Sequence, residues 1–400
     1  MKKILIFSRA MELGGAERAV LGLLDNLDYS KYEVDLFLMR HEGELFPFIN
    51  PNVNLLPEIK SYTVFDIPVK NAIKRGKILI ALGRIFGRIK ARNYQKKNGL
   101  TDKYSVAIEY NQKYIRKFLP KINPDVTYDL AISFLTPHYV VAEKVSAKKK
   151  AAWIHTDYSA CQVDVKSETK MWGQYNKIVS ISDSVTEAFA TTFPAFRDRI
   201  ELIENILPTR LIKSQMDEFN AKYEMPHVDD CVNLLSIGRF CTQKNFDNVP
   251  SICKRLIENG LNVKWYLIGF GLDEDLIKSK IVEEKMQDYV FILGKKENPY
   301  PYIAACDLYV QPSRVEGKAV TVREAQLLCK PVVITAFPTS SSQLEDGVDG
   351  VVVPLNNDEC ADGVAAVLKN QQLMTKLAEN CSKRDYSNAD EARKIDVLFI

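Results

Sequence analysis

The chain opens on a short apolar run, Ile4-Leu5-Ile6-Phe7-Ser8, and then turns polar through a loop that holds Gly14-Gly15. Over 16–27 the apolar positions Val20, Leu21, Leu23 and Leu24 recur at helical spacing, and Tyr32-Glu33-Val34-Asp35-Leu36-Phe37-Leu38 returns to a strand pattern. A continuous apolar run, a glycine loop and an amphipathic helix together predict a strand buried on both faces, opening a doubly wound sheet. Further strands are expected at 130–134, 151–154 and 177–181. Asp183-Ser184-Val185-Thr186-Glu187 predicts a helix start capped by Asp183 or Ser184.

The same opening recurs at Asn233. A strand at 234–237 leads into a loop from Gly238 to Asn245 and a helix at 246–258, and the next strand, 263–268, ends in Gly269-Phe270-Gly271. Strands follow at 289–293, 308–311 and 332–335, with helical stretches between them. Two such series in tandem imply an α/β protein with two Rossmann-like doubly wound domains. The expected division is 1–207, a linker at 208–230 that includes Lys222-Tyr223-Glu224-Met225-Pro226-His227, a second domain at 231–385, and a C-terminal helix at 386–400 able to pack back on the first domain. Two such domains facing each other leave a cleft at the carboxyl ends of both sheets, where ligands of these sheets bind.

Composition narrows the class. Of 400 residues, 46% are apolar and 26% charged, which excludes a disordered, collagen-like or disulfide-scaffold chain. Lys and Arg total 54 against 51 acids, a net charge of +3 that argues against global nucleic-acid binding. There is no run of 18 apolar residues to span a membrane. The apolar run at the N-terminus is too short for the core of a signal peptide. The 8 cysteines are scattered without a CxxC pair, so they read as small core hydrophobes in a reducing cytoplasm.

Charge is concentrated in one place. From Ile67 to Thr101 there is no acid, while positions 70, 74, 75, 77, 84, 88, 90, 92, 96 and 97 are Lys or Arg. They interleave with Ile73, Ile78, Leu79, Leu82, Ile85, Phe86 and Ile89 at mostly helical spacing. A basic amphipathic pattern of this kind suits an anionic lipid surface. The alternative is a helix with its apolar side on the domain core and a solvated basic side. No recognition motif supports nucleic acid.

The stretch richest in chemistry is Pro312-Ser313-Arg314-Val315-Glu316-Gly317-Lys318-Ala319-Val320, which follows a strand and runs into a helix carrying Glu324. Gly317 lets the backbone turn closely around a ligand. The amides of Lys318, Ala319 and Val320 would lie at a helix N-terminus, which favours anionic or oxygen-rich ligands. If the helix covered every step, Glu316 and Glu324 would stand roughly 12 Å apart at 1.5 Å per residue. That exceeds the carboxylate spacing of a glycosidase and suits two ends of one long ligand. Arg239 and Lys244 lie in the loop after the first strand of the second domain, where a guanidinium fork and a point charge could hold a diphosphate. Asp273-Glu274-Asp275 is the one D-x-D match, and it reads as the acidic first turn of a helix rather than as a metal site.

Ser313-Arg314-Val315-Glu316-Gly317 with Arg323-Glu324-Ala325 resembles the donor motif of the retaining family 4 glycosyltransferases, which have the GT-B fold. The resemblance extends to Gly14-Gly15-Ala16-Glu17-Arg18, Gly238-Arg239-Phe240 with Lys244-Asn245, Ile268-Gly269-Phe270-Gly271 and Cys306-Asp307-Leu308-Tyr309-Val310-Gln311. It implies a sugar transferred from a nucleotide-diphosphate sugar, a UDP-sugar by expectation, to a sugar acceptor linked to polyprenyl diphosphate, in bacterial surface-polysaccharide assembly. No cofactor or metal is expected, because the nucleotide sugar is a substrate and positive side chains stand where other transferases hold a cation. The donor would be held by Gly15, Gly238, Arg239, Lys244, Gly294, Lys295, Glu316, Gly317, Lys318, Ala319, Val320 and Glu324. Arg239, Lys244, Glu316 and His155 would carry the reaction. Gly14-Gly15 also suits a tight turn needed only for helix–strand packing. The segment Trp153-Ile154-His155-Thr156-Asp157 borders the reacting sugar and acceptor in the family, which gives His155, Asp157 and, from the preceding strand end, Thr136 and His138 as acceptor-side residues. Where the family often has Phe or Pro, this chain has Gly317-Lys318-Ala319-Val320. The expected place is the cytoplasm, on the inner face of the plasma membrane. The competing readings are a non-catalytic sugar- or lipid-binding relative of the same architecture, and a nucleotide-sugar epimerase, which would need an acid–base pair at the reacting carbon.

Overall fold

The computed structural model describes every residue of the chain except 66, 103, 157 and 317, and every side chain of the rest but that of residue 160. The chain divides into two compact units, Met1–Pro208 with Asn388–Ile400, and Thr209–Ser387.

Among the described residues the first unit is built on a parallel sheet of β1 (Lys2–Ser8), β2 (Tyr32–Leu38), β3 (Asn54–Leu55), β4 (Tyr128–Ser133), β5 (Ala147–Ile154), β6 (Lys177–Ser180) and β7 (Ile200–Leu202). Its order is β3-β2-β1-β4-β5-β6-β7. Helices cover both faces, so Ile4, Leu5, Ile6 and Phe7 are all fully buried, and β1 is continuously apolar instead of alternating. α1 (Gly15–Asn26) follows directly. The first half of β5 reads as polar in sequence because of three lysines. Each is tied down: Lys148 to Asp129 at 2.7 Å, Lys149 to the carbonyl of Ile400, and Lys150 to the carbonyl of Ala142 at 2.6 Å.

Several expected boundaries are corrected. The helix Asp183–Thr192 is capped by Ser182, whose Oγ accepts from the Val185 amide, and not by Asp183 or Ser184. The stretch expected to link the domains holds a helix, Thr209–Gln215, and a short 3₁₀ turn, Ala221–Tyr223. The expected C-terminal helix is present as a 3₁₀ helix, Ala389–Phe399. It lies in the first unit, where Phe399 stacks on Tyr32 at 5.8 Å and carries the Lys2 ammonium 4.0 Å from its ring centre.

The second unit repeats the plan with β8 (Val232–Ile237), β9 (Val263–Ile268), β10 (Val290–Gly294), β11 (Leu308–Gln311), β12 (Val332–Thr335) and β13 (Val351–Val353), again all parallel, in the order β10-β9-β8-β11-β12-β13. The chain therefore reverses its winding between β8 and β11. That switch point leaves a crevice beyond the strand ends, where open α/β sheets bind ligands.

The basic segment of the first unit forms α2 (Val69–Lys74) and α3 (Ile78–Asn98), with α4 (Ser105–Ile115) beneath. α3 lies on α4 through Gly83, Gly87 and Ala91. A Cβ at Gly87 would come within 2.9 Å of the Tyr110 carbonyl, so the glycine sets the approach. Ile78, Leu79, Leu82, Ile85, Phe86 and Ile89 remain exposed, from 41% at Ile85 to 59% at Leu79, although the Phe86 ring also meets Tyr114 of α4 edge-on at 4.9 Å. Arg84, counted among the surface cations, is buried instead and donates from Nη1 to the carbonyls of Val64 and Ile67.

Candidate active site

Two loops meet at the switch point of the second unit. One follows β8 and carries Gly238 and Lys244; the other follows β11 and carries Ser313 and Glu316. A Cβ at Gly238 would stand 3.1 Å from Lys244 Cε and 3.2 Å from Cδ, so this glycine makes room for the lysine stem to lie over the backbone. The stem delivers Nζ to Glu316 Oε1 at 2.5 Å. The same oxygen accepts from Ser313 Oγ at 2.6 Å and from Gln311 Nε2 at 3.2 Å. Gln311 is held in turn by the Tyr309 hydroxyl at 2.8 Å. The side chains of Lys244 and Glu316 are 19% and 9% exposed, so the pair is largely withdrawn from water and oriented before any ligand arrives. The lysine is thus largely covered and already paired within the protein.

The second loop is pinned from its other side. Arg314 makes a two-pronged contact with Asp247, at 2.9 and 2.8 Å, and donates to the Thr242 carbonyl at 2.6 Å, while its own amide bonds the Gln243 carbonyl at 2.7 Å. The Thr339 hydroxyl holds the Glu316 carbonyl at 2.7 Å. Sequence reading missed Arg314, Asp247, Gln311, Ser313 and Thr339 as parts of this machinery. Ser313 and Arg314 stood inside the motif, but the partners of Arg314, Asp247 and Thr242, come from the other loop and gave no local signal.

The remaining donor-side expectations fall out unevenly. Arg239 is exposed and forms no ion pair among the described residues. Glu324 lies on the helix Val320–Leu327, is fully buried, and accepts from the Tyr300 hydroxyl at 3.1 Å. Because that helix starts only at Val320, the span from Glu316 begins as loop and the fully helical spacing does not apply. The Ala319 amide was expected to face ligand; it donates instead to Gln343 Oε1 at 2.8 Å. Lys318 and Val320 are half-buried, and Gly317 lies outside the described residues. Gly294 ends β10 at φ 72° and its carbonyl accepts the Gly269 amide at 2.9 Å, which sets it beside the β9 turn; Lys295 is exposed, 5.7 Å from the Phe270 ring. Gly269 and Gly271 sit at φ 153° and 159°, and a Cβ on either would strike the Gly238 or Phe240 carbonyl at 1.9 or 2.2 Å. The turn that flanks the site therefore demands glycine. Asp273 precedes the helix Glu274–Glu283, whose first turn holds Glu274 and Asp275, as the acidic-turn reading has it. Among the described residues no cluster of His, Cys, Asp or Glu is placed to hold a metal ion.

In the first unit His155 follows β5. Its ring packs on Phe134 at 4.9 Å, and its Nε2 is buried without a hydrogen-bond partner. Burial pushes its pKa down to about 4, with a backbone hydrogen bond at Phe134 pulling the other way, so the ring is neutral near pH 7. His138 is different. It is buried against Trp172, with Nδ1 2.9 Å from Ser133 Oγ and its carbonyl bonded by the Tyr175 hydroxyl. Its pKa is driven down to about 3, first by burial and then by the neighbouring His155. His138 is therefore a structural ring and is withdrawn from the acceptor-side set. Thr136 is half-buried, and Asp157 lies outside the described residues. Gly15 begins α1, and a Cβ there would meet open space, whereas one at Gly14 would collide with the Glu17 carboxylate at 2.1 Å. The Gly14 contact is only with the end of the Glu17 side chain, which can swing aside, so neither position requires glycine for packing, and Glu17 reaches back over the helix end.

Residues 221–384 match the family model described as Glycosyl transferases group 1. This stretch belongs to that family. The glycosyl transferases group 1 domain holds the Lys244–Glu316 pair and both of its supporting loops. Among curated relatives, the chain is 26% identical over 158 residues to an alpha-D-kanosaminyltransferase of Streptomyces kanamyceticus, covering 39% of this chain and 41% of that one. It is 22% identical over 165 residues to an Escherichia coli UDP-Gal:alpha-D-GlcNAc-diphosphoundecaprenol alpha-1,3-galactosyltransferase, covering 40% and 43%. The chain thus spans about two fifths of the length of these relatives. The likeness to the crystal structure of Anabaena HepE in complex with UDP and glucose runs over 99% of each chain, with a TM-score of 0.64 at 16% identity. At that identity the likeness establishes the fold, which is GT-B, with two Rossmann-like parallel-sheet domains.

Proposed function

We propose that the chain is a retaining, metal-independent glycosyltransferase that moves a sugar from a UDP-sugar to a lipid-linked glycan acceptor in bacterial surface-polysaccharide synthesis. The observation that carries this reading is the Lys244–Glu316 pair, oriented at the switch point of the sheet inside the glycosyl transferases group 1 domain. HepE, bound to UDP and glucose, and the E. coli relative, named for a diphosphoundecaprenol acceptor, support the choice of donor and acceptor.

In the reaction the bond between the anomeric carbon and the diphosphate oxygen breaks, and the electron pair leaves with the diphosphate. The acceptor hydroxyl forms its bond to carbon on the same face. Its proton passes to a diphosphate oxygen, so no protein base is required. Negative charge grows on the leaving group, and Lys244 and Arg239 are the cations to meet it; preorganised charge of this kind is the largest lever such a site has. Ser313 and Gln311 keep Glu316 in place when Lys244 Nζ turns to phosphate. Glu316 then accepts from sugar hydroxyls, and Glu324, on its helix, serves the ribose. His155, neutral and with Nε2 unfilled, offers an acceptor to a sugar hydroxyl.

No described helix is long and apolar enough to cross a membrane. The exposed apolar side of α3, with cations on both flanks, supports reversible docking on an anionic bilayer, at the inner face of the plasma membrane. Incubation of the purified protein with radiolabelled UDP-sugars and a lipid-linked acceptor, with and without EDTA, tests the whole reading. Transfer with retained anomeric configuration in EDTA is expected. Absence of transfer from every UDP-sugar, or loss in EDTA restored by magnesium or manganese, would overturn it.

A further inference from the structure

Beside the apolar side of α3 lies a cavity of 610 Å³ between α3 and α4, with Arg88, Arg92, Gln95 and Lys96 on one wall and Asn111 on the other. Arg88, Arg92 and Lys96 recur every four residues and so form one row along the helix. Arg88 is three residues on from Ile85, and Arg92 three on from Ile89, which makes each cation a surface neighbour of an exposed apolar residue. None of the three makes a hydrogen bond or ion pair among the described residues. On the α4 wall the Oδ1 of Asn111 is buried and has no partner. Ile108, three residues before it on α4, is exposed at 52%.

We infer that this cavity is a headgroup site for an anionic phospholipid. The three unpaired cations match one phosphodiester, the unfilled Asn111 carbonyl matches a headgroup hydroxyl, and the apolar residues alongside match the acyl region directly above a headgroup. A free soluble phosphate would account for the cations but not for the row of exposed Ile, Leu and Phe next to them. This inference rests on the bilayer docking proposed above and deepens it: docking is anchored by one bound lipid as well as by diffuse charge.

The test separates the two ideas. Binding of the full chain to phosphatidylglycerol vesicles is measured for wild type, for Arg92→Ala with Lys96→Ala, and for Lys90→Ala with Lys97→Ala. Both doubles remove two exposed cations from the same helix, and only the first touches the cavity. Either double loses about 25-fold through charge alone. The cavity double is expected to lose at least a further tenfold. Equal losses in the two doubles would overturn the headgroup site while leaving bilayer docking intact. A wild type that never binds these vesicles would remove both. A third variant, Leu82→Ser with Ile89→Ser, replaces exposed residues only and should also release the protein. Millimolar inorganic phosphate should leave the wild type on the vesicles; displacement by it would reassign the cavity to a soluble ligand.

Discussion

Lys244 carries the sharpest consequence of the site geometry. Replacing it with Ala removes the cation that touches Glu316 at 2.5 Å and, in the proposed reaction, the cation nearest the growing diphosphate charge. Two magnitudes follow, and they differ. Loss of one preorganised stabiliser of transition-state charge typically costs about 10²–10³ in turnover. The folded state loses less. Glu316 keeps Ser313 Oγ at 2.6 Å and Gln311 Nε2 at 3.2 Å, so its carboxylate is not stripped. The stability cost is then about 1–3 kcal/mol, below the 3–5 kcal/mol of a buried charge left bare. For a unit of this size that lowers the melting temperature by about 2–12 °C. Adding Glu316→Gln separates the roles, because a neutral amide needs no counter-charge. The double variant should regain stability and stay slow. Thermal unfolding and turnover of a radiolabelled UDP-sugar, measured on both variants, give the answer. If the Lys244→Ala protein turns over within about threefold of wild type, or if turnover returns along with stability in the double, the lysine merely neutralises Glu316 and the diphosphate assignment is wrong.

Other outcomes are expected from the same site. Arg239→Ala should also slow turnover by about 10²–10³, yet leave the melting temperature unchanged, since the side chain is exposed and unpaired; a drop in stability would mean that it has a structural contact. Glu324→Gln should weaken UDP binding in calorimetry by about tenfold, with Glu316→Gln leaving it near normal, and equal loss in the two would show that the ligand is divided differently. His155 and His138, with pKa values down at about 4 and 3, bind protons more readily in the unfolded chain, so stability should fall as pH drops from 6.5 towards 4. Glu168, pushed up to about 7 by burial, acts in the opposite sense, its contribution declining as pH rises from 4.5 to 7. Denaturant titrations across that range on His155→Gln and wild type should show a shallower acid limb in the variant.

The parallel sheets were legible because burial on both faces writes itself as continuous apolar runs. β2, β9, β11 and β12 coincide with their sequence reading to the residue. The short edge strands β3, β7 and β13 escaped, because two or three residues with a single partner strand leave no period to detect. In the site, Lys244 and Glu316 were legible as charged residues at strand ends. Their direct pairing was not, since they are far apart in sequence and Gly238, which makes room for the lysine stem, looks like any turn glycine. Ala319 shows the limit of helix-end arguments: its amide is satisfied by Gln343, twenty-four residues on, and nothing local announces that bond.

α3 shows how small residues decide what amphipathicity alone leaves open. A helix carrying both an apolar stripe and many cations can bury the stripe or display it. Gly83, Gly87 and Ala91 form a second stripe, of small residues, on the opposite side of the helix, and they let α3 approach α4 closely enough that the Tyr110 carbonyl excludes even a methyl group at Gly87. Contact through the small stripe leaves Ile78, Leu79, Leu82, Ile85 and Ile89 turned outward, with Phe86 half exposed beside Tyr114 of α4. It also carries Arg84 inward, where Nη1 donates to the backbone carbonyls of Val64 and Ile67. Exposed residues of this size in one row are costly to leave in water, and the flanking cations keep them from the domain's own interior. A bilayer with anionic headgroups satisfies both halves of the surface at once, which a protein partner could do only with an acidic rim around an apolar groove.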